Sequence, residues 1–470
     1  MKFLVPSADT IRQYAFVIIV NLSVFTTGMN LGWPSPVLVK LRDPDQTPLP
    51  RPITENEGSW LVSVGFLCGA VSNLGVGWLL DTIGRKYSIL LAALLKFFIA
   101  LLFIFSTQVW MLIFGRAIVM SLETLLFSAV PVYSSEIANK EQRGALGTLL
   151  QISVSVGMVV SLSVGPYTSY VTFNIVVACA IAITMIPLLF LPDSPYYLYS
   201  KGRIEESRAV LTLIRGSETL VREEIDGYDK AKESKVDVSK MALMRNRMFR
   251  KSLILGLMLG IGTTLLGFAA VTFYLQTILE TTGVSLQPEI SSVISGVIQL
   301  VGSACSTPIT RNFARKSILK ISLAGYAIGM ICLGVFFKVT EPEDFVIVGF
   351  LNYLPIISLV TVIFCYNVGI GSLYFLIAAE LFDDIGRAFG FSIFLATTTF
   401  LIFLVTRYFS LMTNILGPAV TYWVFSGFTV MLIILITLFL PETKGKTFSE
   451  IQKSLDNSTK NANVEKGLKQ

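Results

Sequence analysis

The 470-residue chain contains no histidine. That excludes a histidine general base and any histidine-bearing zinc site. Charge is scarce as well. Asp, Glu, Lys and Arg make up 14% of the residues, against about 25% in a soluble domain. So few charges cannot cover a globule of this length. Disordered chains, which are polar and charge-rich, are excluded by the same composition. The five cysteines, Cys68, Cys179, Cys305, Cys332 and Cys365, stand in apolar stretches with no CxxC pair and no framework spacing. Neither a metal site nor a disulfide scaffold is indicated. No nucleophile–base constellation is present to suggest an enzyme, and no cofactor is implied.

What the chain has is apolar length. Apolar residues make up 53% of it, and the natural solvent for such a surface is lipid. A membrane-spanning helix takes about 20 mostly apolar residues. Twelve runs qualify, near 14–33, 58–80, 87–106, 109–132, 145–165, 171–191, 252–279, 290–309, 318–337, 346–379, 389–410 and 419–440. The first is too long for a signal-peptide core and has no small-residue cleavage site, so it reads as a membrane helix. The tenth is too long for one straight span and holds Asn352, Pro355, Asn367, Gly369 and Gly371, which predicts a broken helix.

Basic residues orient the spans. With both termini in the cytoplasm, 30 of the 37 Lys and Arg fall on the cytoplasmic side. Outer loops hold Lys40, Arg42, Arg51 and Lys338; Lys96, Arg116 and Arg407 fall within or at the ends of spans. The net charge of +6 is thus mostly an orientation signal. No basic stripe with interleaved aromatics points to nucleic acid.

Three motifs occur twice. Gly77-Trp-Leu-Leu-Asp81-Thr-Ile-Gly84-Arg85-Lys86 follows span two, and Thr310-Arg311-Asn-Phe-Ala-Arg315-Lys316 follows span eight. Glu136 and Arg143 after span four match Glu380 and Arg387 after span ten. Leu191-Pro-Asp193-Ser194 ends span six, and Leu440-Pro-Glu442-Thr443 ends span twelve. The economical explanation is a duplication: a six-helix bundle over 1–200, a charged helical linker over 201–250, a second bundle over 251–445 and a tail over 446–470. Matching loops on one membrane side make it a parallel repeat, and two such bundles can rock about a site between them. Chance similarity of short loops is the alternative. Ile204 to Ile214 and Leu220 to Ile225 carry enough apolar periodicity for short linker helices.

These motifs resemble the major facilitator superfamily, and within it the sugar porters. The Gly77–Lys86 stretch is similar to the GxxxDxxGRK signature. Pro131-Val-Tyr133-Ser-Ser-Glu136-Ile with Arg143-Gly-Ala-Leu-Gly-Thr-Leu-Leu-Gln151 resembles PxYxxEI…RGxLxxxxQ. Pro192-Asp-Ser-Pro195 and Pro441-Glu-Thr-Lys-Gly-Lys-Thr447 resemble PESP and PETKG. Gly28-Met-Asn-Leu-Gly-Trp33-Pro-Ser-Pro36 looks most like the facilitated trehalose transporters of insects. The resemblance implies an all-α integral membrane protein of twelve helices in two pseudo-symmetric six-helix bundles. It further implies facilitated transport of a sugar such as trehalose or a hexose, residence in the plasma membrane by family habit, and a monomer in the bilayer as the working unit.

By resemblance, Asp81, Arg85, Glu136, Arg143, Asp193, Arg315, Glu380, Arg387 and Glu442 form an inner gate lock of carboxylate–guanidinium pairs. The alternative is solvated loop charges that only set topology. Gln151 falls on the family's sugar-binding glutamine and Gln299 on another sugar-contacting amide; either could instead bond a neighbouring helix. Asn367 lies beside the break in span ten, and Phe375 replaces a family tryptophan. Span seven departs from the family: Thr263 and Thr264 replace two amides and Ala269 a third. Half the polar lining of the second bundle is shortened, which admits a less polar solute, or a sensor that binds without transport. Asn30 stands where proton-coupled members carry an aspartate, so uniport is the better reading.

One feature comes from the residues alone. Lys96 and Glu123 lie at matching depths in spans three and four. A mid-membrane Lys costs about 2.5–3.5 kcal/mol unless it is met by protein. An intramembrane ion pair is one solution. A snorkelling Lys96 with Glu123 facing an aqueous cavity is the other.

Overall fold

The computed structural model describes residues 8–139, 143–233, 240–282, 287–342, 347, 349–382 and 386–444. Helices build it, and no strand occurs among the described residues. Each of the twelve apolar runs has a helical counterpart. Ten helical stretches are long and apolar enough to cross a membrane. Span two is a bent pair, Glu55–Ser72 and Val76–Ile83, with 63° between its parts. Span five is Arg143–Val164, whose apolar part Leu149–Val164 is shorter than the rest. Large apolar side chains stand on the outside, with Phe190 81% and Ile321 75% exposed, while Val17, Val20 and Val24 of span one are fully buried. Helices apolar on all sides suit lipid outside and packing inside.

Span one, Ala8–Gly32, runs longer than its apolar stretch suggests. After a turn at Trp33 the helix resumes as Pro34–Arg42 and buries Lys40, which the sequence places in an outer loop. Proline suits the first turn of a helix because its missing N–H has no partner there anyway. The linker forms Ile204–Arg215 and Glu218–Glu233, and a further short helix, Lys240–Arg245, precedes span seven.

The described residues divide into two compact units. One comprises Met1–Trp33, Asp43–Pro52 and Val71–Asp237; the other comprises Pro34–Arg42, Ile53–Ala70 and Val238–Gln470. Each has the same internal pairing. In the first, span one packs along span five, and span three along spans four and six. In the second, span seven packs along span eleven, and span nine along spans ten and twelve. The duplication read from loop motifs is therefore also a duplication of helix packing.

Glycine sets the closest of these contacts. A Cβ on Gly28 would lie 2.0 Å from the backbone oxygen of Val154, and one on Gly157 would lie 2.0 Å from that of Phe25. Small residues let membrane helices approach until backbones touch, where dispersion acts in place of the hydrophobic effect. Gly28→Val should therefore lower stability by about 1–3 kcal/mol or more, read as a drop in melting temperature of the detergent-solubilised protein. Gly427→Ala, where a Cβ would meet nothing within 4 Å, should leave it nearly unchanged.

Candidate substrate path and gate charges

In the first unit a charged cluster sits between spans one, three and four. Lys96 Nζ lies 2.9 Å from Glu123 Oε1, and both side chains are 1% exposed. Lys96 also donates to Thr26 Oγ1 at 3.0 Å. Asn30 Nδ2 donates to Glu123 Oε1 at 3.2 Å and to Thr26 O at 3.0 Å. Arg116, fully buried two turns before Glu123, donates from Nη1 to Asn30 O at 3.1 Å and stacks 5.4 Å from the Trp33 ring centre. Trp33 Nε1 donates to Asn174 Oδ1 at 2.8 Å. Sequence reasoning saw the Lys96–Glu123 match in depth but missed Arg116 as the third charge. Its spacing of seven from Glu123 on one helix was the signal that could have found it.

The cluster holds two cations and one anion, so its members are not equivalent. Removing Glu123 leaves two buried cations, Lys96 and Arg116, with no carboxylate in the cluster; removing Lys96 leaves Glu123 with the Asn30 amide, and Arg116 still in the cluster through Asn30 O. Glu123→Gln should destabilise by about 3–5 kcal/mol. Lys96→Met should cost clearly less, and the double change should recover most of the Glu123→Gln loss. Detergent melting and surface expression of the three variants check this; equal losses in all three would refute it.

Gln151 is half-buried on span five, and its amide makes no hydrogen bond to protein among the described residues. Such an amide is available to a ligand. The Nδ2 hydrogens of Asn30 are not, since both go to protein.

The second unit presents its polar groups beside two helix breaks. Span seven is interrupted after Leu265 by Gly267, at φ +78°, and resumes as Phe268–Phe273 and Leu275–Thr281. The sequence read it as one unbroken span, although Gly267 marked the place. Tyr326 OH donates to the freed carbonyl of Leu266 at 2.8 Å. Span ten breaks at Gly369 between Leu354–Val368 and Ile370–Glu380, where the clustered Asn and Gly residues predict it. A Cβ on Gly369 would lie 1.9 Å from Ser322 Oγ. Irregular backbone inside a membrane protein survives only where protein or water satisfies it.

The structure treats the candidate ligands here unequally. Gln299 is 6% exposed, and its side-chain amide has no protein partner among the described residues. Asn367, one helix away, is tied by Nδ2 to Ile363 O at 2.8 Å and reached by Ser303 Oγ at 3.5 Å. Thr263 and Thr264 each donate a hydroxyl back along the helix, to Leu259 O at 2.7 Å and Gly260 O at 2.9 Å. They retain acceptor capacity only. Phe375 is 39% exposed and packs on Tyr374 at 3.9 Å between ring centres.

The candidate gate charges that the structure describes fall into two similar sets, each paired within its own unit. Arg85 meets Glu136 through two hydrogen bonds, Nε to Oε2 at 3.1 Å and Nη2 to Oε1 at 3.0 Å. Asp81, 81% exposed, stands 3.5 Å from Arg85 and adds little. In the second unit Arg315 pairs with Glu380. The side chains of Arg143 and Arg387 lie outside the described residues. Asp193 Oδ1 accepts from Lys86 N at 3.2 Å and Ser194 N at 2.7 Å. Glu442 accepts from Arg315 N at 3.0 Å and Lys316 N at 3.1 Å. Asp193 and Glu442 therefore cap the starts of spans three and nine, where free N–H groups and the helix dipole favour an anion. Burial pushes the Glu442 carboxyl up, but hydrogen bonds from the backbone of Lys444, Lys316, Arg315 and Thr443 outweigh it and hold it below its ordinary value of 4.5. A carboxylate held down in this way stabilises the fold above its unfolded pKa and loses that contribution as pH falls through the folded one. The stability gap between wild type and Glu442→Gln should therefore be full at pH 7 and shrink steadily below about pH 4.5, as melting across that range would register.

Residues 16–455 match the sugar (and other) transporter family, and the chain belongs to it. A facilitated trehalose transporter of Apis mellifera ligustica is 27% identical over 447 residues, spanning 94% of this chain and 88% of that one. One from Culex quinquefasciatus is 26% identical over 463 residues, spanning 97% and 89%. Among solved structures, the inward open xylose transporter XylE of E. coli superposes with a TM-score of 0.78 at 18% identity, covering 94% of this chain and 99% of that one. Its partially occluded inward open form gives 0.77 at 19% identity, covering 93% and 99%. The fold is accordingly the twelve-helix architecture expected from the loop motifs.

Proposed function

We propose that this chain carries a small sugar, trehalose or a hexose, across a membrane down its gradient by alternating access of its two sequence halves. The observation that carries the reading is Gln151: an amide mid-way along a span, bonded to no protein group among the described residues, in a member of a sugar transporter family. Gln299 supplies a second such amide in the other half. Curated relatives across most of the chain are facilitated trehalose transporters, which supports trehalose as the first substrate to test. Uniport is supported by the use of Asn30 as a structural amide and by the pairing of Glu123 with Lys96. The basic-residue bias supports cytoplasmic termini, and family habit supports the plasma membrane. The Arg85–Glu136 and Arg315–Glu380 pairs, with their capping carboxylates, act as the inner gate charges. No covalent step is needed.

A less polar solute is the second reading, favoured by Thr263 and Thr264, whose hydroxyl protons are already given to backbone. Each hydrogen bond a hexose loses there costs about 0.5–1.5 kcal/mol net.

Uptake of radiolabelled trehalose and glucose into liposomes holding the protein tests both. Saturable uptake that ignores a proton gradient and falls at least about tenfold in Gln151→Ala, the effect of losing about 1.4 kcal/mol of binding, is the expected result. No uptake of either sugar by folded protein would move the less polar solute, or a sensor that binds without flux, ahead.

A further inference from the structure

Arg407 is a guanidinium inside span eleven, Arg387–Leu416, nine residues from its end. A charge at such a place needs protein partners. Its partners are all neutral. Nη1 donates to Ser59 Oγ at 3.0 Å, and Nη2 donates to Asn56 Oδ1 at 2.5 Å. Ser59 Oγ donates in return to Arg407 O at 2.5 Å. The guanidinium carbon stands 4.8 Å from the Trp60 ring centre and 5.8 Å from that of Tyr408. No carboxylate pairs with it among the described residues.

The contact extends along both helices. Toward the end of span eleven, Glu55 Oε2 accepts from Asn414 Nδ2 at 2.7 Å and from Ser410 Oγ at 3.4 Å. Trp60 lies 6.1 Å from Phe403, and Phe66 lies 5.4 Å from Phe273. Ser35 Oγ accepts from Gln276 N at 3.1 Å. Glu55, Asn56, Ser59 and Trp60 sit at the end of span two opposite Asp81, and all of these residues belong to the second unit. One helix face from the first sequence half is thus fastened to helices of the second half.

We propose that Arg407 is the pin of an outer gate: a positioning residue that holds span eleven against the outer part of span two in one state of the cycle and releases it in the other. The proposal rests on the transport reading above. The chemistry suits a contact that must break repeatedly. Parting Arg407 from amide and hydroxyl oxygens separates no opposite charges, and water replaces those partners directly. The planar fork and the aromatic face still select one geometry when the contact closes.

Ser35, 1% exposed and bonded to Gln276 N of the second half, serves as the reporter. In full-length protein with the five native cysteines replaced by serine, Ser35→Cys would be labelled from outside intact cells with a membrane-impermeant maleimide. Labelling should be slow with Arg407 in place. Arg407→Gln and Trp60→Leu should each speed it about tenfold, the loss of one cation–π contact and one charged hydrogen bond being of that order. Arg407→Lys, which keeps the charge over the ring but not the fork, should fall between. Rates unchanged in both Arg407→Gln and Trp60→Leu would overturn the proposal, as would rapid labelling before either change. If Arg407→Gln fails to reach the surface, Trp60→Leu decides alone. Sugar uptake is scored separately: labelling as expected without uptake would refute the substrate and leave the gate standing.

Discussion

Every charged group that enters the apolar depth of this protein must be met by protein, because lipid offers it neither water nor counterion. The rest of the structure is arranged around that constraint. Lys96 answers it with the carboxylate of Glu123 and the hydroxyl of Thr26, and Arg116 with the carbonyl of Asn30 and the face of Trp33. Arg407 answers it with neutral oxygens and two aromatic rings. At the helix ends, Arg85 and Arg315 answer it with carboxylates. A buried ion pair is poor evidence of net stability, but removing one partner is costly. Such groups therefore hold their helices in one register more than they strengthen the fold.

The duplication shows which parts of that solution are old and which belong to one half. Both halves cap the third helix of their bundle with a carboxylate from the loop after the sixth, Asp193 in one and Glu442 in the other. Both bring an arginine from that same helix start to a glutamate at the end of the fourth. The depths of the two halves differ. The first bends its second span but keeps Ala8–Gly32, Arg85–Ile104 and Val109–Ile137 unbroken and places a charged cluster between them. The second breaks spans seven and ten at Gly267 and Gly369 and places amides and hydroxyls beside the breaks. A broken helix exposes carbonyl and N–H groups that can line a path. Tyr326, capturing the carbonyl of Leu266, shows how such freed groups are kept satisfied where they are not used.

Much of the fold was legible in order of residues alone. Twelve apolar runs and a bias of Lys and Arg to alternate loops require only counting, since the bilayer sets one length and the positive-inside rule one direction. The break in span ten was legible because Asn367, Gly369 and Gly371 cluster within one turn. The break in span seven was not, because a single glycine in an apolar run is tolerated by many helices. The candidate site was legible only in part. Gln151 and Gln299 stood out as amides in apolar surroundings, and both side chains are without protein partners among the described residues. Asn30 and Asn367 stood out for the same reason, yet their bonds are to protein.

The sequence by itself determined the apolar character of the spans, their approximate positions and the repeat. It did so because hydropathy, charge and short motifs are properties of contiguous chain. Tertiary structure alone decided which polar groups are spent on protein and which remain free, and which charges share a partner. Lys96 is 27 residues from Glu123, and Arg407 is 348 from Ser59. No local rule links positions so far apart; only packing helices to backbone contact, as Gly28 and Gly157 permit, brings such groups within hydrogen-bond reach.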